Sequence, residues 1–254
     1  MMQLTVIIKY LVTPILIGIG LAYFGPQLTY SSSPSGSISI SAWILSGFFF
    51  AVGLIAAFLI YRERKVFLAS GNSLPFNIAI GCVILAIFSI SAAATFFHND
   101  RDTIGWLVQV GTLASAAWIF YVSFAKREII ASERRDDFVF SYSMLAVVIS
   151  SAVTWLLFIF KDFMPLVLDP NFGWGKELLW VRVISSVLFL LAGTIFFIRK
   201  EQALIVGAIF LLAVGSFGVV YVYSSGILTT HPLIWFNRVL TLLALLALLK
   251  RPNQ

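Results

Sequence analysis

Charge is scarce in this chain: only 11% of its 254 residues are Asp, Glu, Lys or Arg, against about 25% in ordinary soluble domains. Together with 60% hydrophobic residues and a mean hydropathy of +1.00, that scarcity excludes a soluble core. Cysteine is nearly absent. The single Cys82 rules out an intramolecular disulfide framework and a Cys-based metal cluster, and its apolar surroundings make it a small core residue. Paired carboxylates, a His-Glu zinc motif, a nucleophile elbow and a phosphate-cradling Gly loop are all missing, so neither catalysis nor a cofactor is expected. His98, Asp100, Asp102 and His231 are metal-capable, but their spacing matches no metal motif. They read as solvated loop residues, and no metal site is expected.

What the chain has instead is eight long apolar segments, seen at a window of about 19 residues. Spanning a hydrocarbon core of about 30 Å takes roughly 20 residues, so eight helices use about 160. Short loops and tails account for the rest, with no room for a soluble catalytic, nucleotide-binding or DNA-binding domain. The expected fold is therefore an all-α, polytopic integral membrane helix bundle with eight transmembrane helices, at roughly 5–24, 40–61, 75–97, 104–125, 138–160, 178–198, 202–222 and 233–249. A membrane barrel would show polar alternation, which these continuous runs lack. The first segment, Thr5 to Phe24, reads as a spanning helix rather than a signal peptide: Lys9 lies inside the apolar stretch and no small-x-small site closely follows.

Orientation follows from the basic residues. One set of alternate connections holds Arg62, Arg64, Lys65, Lys126, Arg127, Arg134, Arg135, Arg199, Lys200, Lys250 and Arg251; the other holds Arg101, Lys161 and Lys176. By the positive-inside rule both termini are cytoplasmic, and the location is a cell inner (plasma) membrane. The net charge of +6 is spread over segment ends rather than gathered in a patch, so no nucleic-acid partner is expected. The lipid bilayer is the expected partner. The chain forms one transmembrane domain of four out-and-back hairpins, about 1–65, 66–127, 128–200 and 201–254. Trp43, Trp106, Trp180 and Trp235 begin the returning helices and basic residues end them. Interfacial anchoring explains that pattern without duplication.

Few polar residues break the apolar segments. Ser46, Gln109, Arg182 and Arg238 each fall about one turn inside the outer end of a returning helix. Intramembrane arginines face a partner or water, so Arg182 and Arg238, with Gln109 at similar depth, are the candidate ligand-binding residues for a small anionic, carbonyl or apolar ligand. They could instead pair with Asp100, Asp102, Asp162 or Asp169, or snorkel to the interface. Asp and Glu are absent from every apolar segment as bounded above, which argues against a proton-coupled carrier. Pairs of small residues four apart, Gly47 with Ala51, Gly53 with Ala57 and Gly111 with Ser115, predict close helix packing.

Three stretches carry a family resemblance: Phe58 to Phe67 (FLIYRERKVF) closing the second helix, Trp106 to Val110 opening the fourth, and Trp235 to Leu240 (WFNRVL) opening the last. In arrangement rather than by motif, most of the chain resembles the MASE-type membrane-associated sensor domains found ahead of diguanylate cyclases and histidine kinases. The resemblance implies a bundle that senses a stimulus and passes it to a C-terminal output domain. Since the sequence stops at Gln254, the chain is expected to be either the sensor portion of a longer protein or a stand-alone relative, with a cytoplasmic output domain or a partner subunit as its partner. A non-catalytic membrane sensor or ligand-binding module is thus the leading expectation. A small-solute transporter or channel, or an accessory subunit of a larger membrane complex, is the alternative.

Overall fold

A computed structural model describes residues 8–19, 38–96, 101–125, 129–165, 168–169, 173–224 and 232–251. Its elements in chain order are α1 (Tyr10–Ile19, with a π-helical turn at Ile8–Val12), α2 (Ile38–Ser70), α3 (Ser73–Phe96), α4 (Arg101–Phe124), α5 (Arg135–Ile159), α6 (Lys176–Ile198), α7 (Ala203–Ser224) and α8 (Pro232–Leu249). Two-residue strands, β1 (Leu168–Asp169) and β2 (Gly173–Trp174), pair antiparallel in the connection before α6. Among the described residues six helices, α2 to α7, are long and apolar enough to cross a membrane. The chain is an all-α, multi-pass membrane protein on that criterion of length and composition.

The helices α2, α3, α4, α6, α7 and α8 pack in a closed ring, each against the next, with α8 returning to α2. The ring skips α5, which lies outside against α3 and α4 and is the least enclosed of the six long helices. Its Phe140, Val148 and Trp155 point outward, the usual lipid-facing surface of a spanning helix. The turn that opens α1 rests on α7, where Gly207 leaves room for the Tyr10 ring. Cys82 is buried in the central apolar cluster, alongside residues of all six ring helices.

The glycines of two of the small-residue pairs sit at close helix contacts. A Cβ on Gly53 would come within 2.5 Å of Ile90, and one on Gly111 within 2.4 Å of the Phe88 Cβ, so both glycines let neighbouring helices approach closely. Gly47 departs from that expectation: nothing lies within 4 Å of where its Cβ would be, and Ala57 is exposed.

The second helix does not end at residue 61. It continues through Arg62, Glu63, Arg64 and Lys65 to Ser70, because these residues favour helix and nothing interrupts the backbone. Thirty-three residues at 1.5 Å each span about 50 Å, more than the hydrocarbon core. Gly71 stops the helix. With φ at 74° it takes the left-handed position that glycine adopts at low cost, and its amide donates to Phe67 O at 2.7 Å. The added turns bury Phe67, which stacks on Phe76 with ring centroids 5.3 Å apart and meets Phe138 at 5.2 Å.

Candidate functional site

The returning helices α2, α4, α6 and α8 end together at one face of the bundle, called here the basic end. Their C-termini leave carbonyls without intrahelical donors, and three arginines from other elements supply them. Arg62 on α2 donates to the carbonyls of Leu248, Leu249 and Arg251 at the end of α8. Arg135, opening α5, donates to Leu68 O at 2.8 Å and Ala69 O at 3.0 Å at the end of α2. Arg199, following α6, reaches Ser123 O at 2.5 Å and Ala125 O at 3.0 Å at the end of α4. Each guanidinium also meets the negative end of a helix dipole. These residues therefore join helices to one another, a role their place in the charge pattern does not specify.

Beside Arg62 lies a buried ion pair. The Arg251 Nη2 donates to Glu63 Oε2 at 2.5 Å, with the two side chains 4% and 3% exposed. Burial pulls the Arg251 guanidinium below its usual value; Glu63 opposes that shift and Arg62 adds to it. Sequence reading placed Glu63 in a polar connection and so missed it. The available signal was the absence of any Gly or Pro between Gly53 and Gly71.

At the opposite end, the tryptophan end, Arg182 is buried in α6 at about 9 Å from the helix start. Its Nη1 donates to Thr112 Oγ1 at 2.9 Å and makes a longer contact, 3.4 Å, with Gln109 Oε1, both on α4. Its Nη2 donates to the Asn237 amide oxygen on α8 at 2.9 Å, in the amide orientation that also lets the Asn237 nitrogen donate to Gly215 O on α7 at 3.2 Å. The close approach is possible because residue 215 has no side chain; a Cβ there would come within 2.7 Å of the Asn237 side-chain amide. Ser186 continues the chain of contacts, donating to Arg182 O at 2.8 Å. One turn below Thr112, Ser115 is fully buried and its hydroxyl has no hydrogen-bond partner.

Arg182 and Gln109 are thus brought together, while Arg238 faces other neighbours. Its guanidinium lies 4.6 Å from the Trp235 ring centre and 5.7 Å from that of Phe49 on α2, a cation–π arrangement. Asn237, one residue earlier, is the α8 side chain that reaches Arg182. Ser46 donates to Ala93 O at 3.5 Å. Asp162 is exposed. His98, Asp100 and His231 lie outside the described residues, as do the side chains of Asp102 and Asp169. Among the described residues no three His, Cys, Asp or Glu side chains come together.

The fold and the site define a multi-pass helical membrane protein with a buried arginine tying four helices at one end and a buried ion pair at the other. No family model, curated protein or solved structure matches the chain.

Proposed function

We propose that this chain is a non-catalytic membrane sensor or ligand-binding module that passes a signal from the tryptophan end to the basic end. The observation that carries the proposal is that α8 is held by buried polar contacts at both extremities. Asn237 ties it to Arg182, and Arg251 with the last carbonyls ties it to Glu63 and Arg62. From Asn237 to the end of α8 at Leu249 there are 12 helical steps, about 18 Å. A small anionic, carbonyl or apolar ligand that favours one arrangement of Arg182, Gln109 and Asn237 displaces α8 against α2; a ligand binding both arrangements equally moves nothing. Arg238, packed on Trp235 and Phe49, lies one residue from Asn237 and adds positive potential to that end.

In this reading the chain crosses an inner (plasma) membrane eight times with both termini in the cytoplasm, as the distribution of Lys and Arg favours. The output is a cytoplasmic domain or partner subunit, as in the MASE-type sensors that the arrangement resembles. A reporter enzyme fused after Gln254 tests the proposal: Arg182→Gln and Asn237→Leu should each change its output at unchanged membrane levels. Equal output from wild type and both variants would overturn it, as would solute flux by the purified chain alone in proteoliposomes.

A further inference from the structure

At the basic end, about 18 Å along α8 from Asn237, the α2–α3 connection, the α6–α7 connection and the end of α8 line a cavity of about 340 Å³. That volume falls within the range of small-molecule sites, about 300–1,000 Å³. Its polar lining comprises Ser70, Asn72, Lys200, Glu201, Gln202 and Arg251. Arg251 is 4% exposed and already spends Nη2 on Glu63, yet its Nε has no hydrogen-bond partner. A buried, charged donor left unmatched is costly, and here it belongs to a side chain that forms the cavity wall.

The surrounding backbone adds to the positive character. Both α3 and α7 begin at this cavity, directing the positive ends of two helix dipoles toward it. Asn72 Oδ1 caps the first of them, accepting from Leu74 N at 3.3 Å. Lys200 contributes a second cation from an exposed position. Against these stands the carboxylate of the buried Glu201. A wall with cationic groups and one carboxylate suits neither a plain anion nor a plain cation. It suits a molecule with both signs.

We infer that this cavity binds a small zwitterion, a phosphate or carboxylate bearing a primary amine. The anionic group faces Lys200 and the helix N-termini along the wall that Arg251 helps to form, and the ammonium faces Glu201. A free metabolite and a phospholipid headgroup both carry this chemistry. The site is separate from the Arg182 cluster and stands whether or not that cluster senses a ligand.

Lys200 supplies a control for folding. At φ 54° it occupies the left-handed position after α6 that glycine prefers, so Lys200→Gly removes the cation while relieving the backbone. The probes are O-phosphoethanolamine and inorganic phosphate, titrated onto the full chain in phosphatidylglycerol nanodiscs with thermal unfolding as readout. A parallel arm measures retention of phosphatidylethanolamine against phosphatidylglycerol by native mass spectrometry. Phosphoethanolamine should bind at least about tenfold tighter than phosphate, weaken about tenfold in Lys200→Gly, and lose its preference in Glu201→Gln, in line with hydrogen bonds between charged groups. Selective lipid retention that disappears in Lys200→Gly supports the same site with a headgroup as ligand. Binding of neither probe nor lipid, equal binding of phosphate, or indifference to both substitutions overturns the inference.

Discussion

Replacing Glu63 with Leu removes one half of the buried pair and leaves the other half stranded. Arg251 is 4% exposed, its Nε already lacks a partner, and its Nη2 would lose the 2.5 Å contact. At a charge separation of about 4 Å and an effective dielectric near 20, the attraction lost is about 4 kcal/mol. Breaking buried pairs from one side costs about 3–5 kcal/mol, so Glu63→Leu should destabilise by that amount. The double substitution Glu63→Leu with Arg251→Met removes both charges and fills the space with apolar atoms. It should return to within about 1 kcal/mol of wild type, because the desolvation of both ions disappears with their attraction. Arg62 still holds α8 in the double variant, since it bonds backbone carbonyls that no side-chain change removes. The assay is reversible unfolding in mixed micelles, analysed as a double-mutant cycle. A single variant within 1 kcal/mol of wild type, or a double as unstable as the sum of the singles, would refute the reasoning.

Three further outcomes follow from the packing and the polar contacts. Gly111→Ala places a methyl 2.4 Å from the Phe88 Cβ, an atom fixed to the backbone, and should cost about 1–3 kcal/mol in the same unfolding assay; Gly47→Ala, with open space around it, should be neutral or slightly stabilising. Asn237→Leu deprives Arg182 of an acceptor and Gly215 O of a donor, for a loss of about 1–3 kcal/mol and faster hydrogen exchange at the start of α8. Arg199→Gln should fray the last turn of α4, seen as increased labelling of a cysteine at exposed Phe124, at a cost of about 1–2 kcal/mol.

The long helices were legible because lipid demands continuous apolar runs, and α3, α4, α6, α7 and α8 begin and end within about three residues of where those runs do. The extension of α2 was not, since hydropathy falls at Arg62 while the helix runs to Gly71; a criterion for membrane crossing is silent about helix beyond the membrane. Gln109 and Thr112, three apart on α4, share a face, and the depth of Gln109 in its apolar segment marks it in the sequence. That Asn237 rather than Arg238 meets Arg182 depends on how α8 is rotated against α7. Gly215 sets that rotation, and a glycine opposite an asparagine leaves no local mark in either helix. The pairing of Glu63 with Arg251 joins residues 188 positions apart, and the ring closure of α8 on α2 creates it.

The central claim, that α8 links the Arg182 cluster to the Glu63–Arg251 pair, is tested most directly by a distance across the basic end. Spin labels at exposed Arg64 and Lys250, with buried Cys82 replaced by Ala, report the position of the end of α8 against α2 by pulsed electron resonance. Asn237→Leu, about 18 Å away along the helix, should shift or broaden the 64–250 distribution, as Glu63→Leu does locally. A distribution identical to wild type in Asn237→Leu, while Glu63→Leu changes it, would show that the two ends move independently and contradict the account.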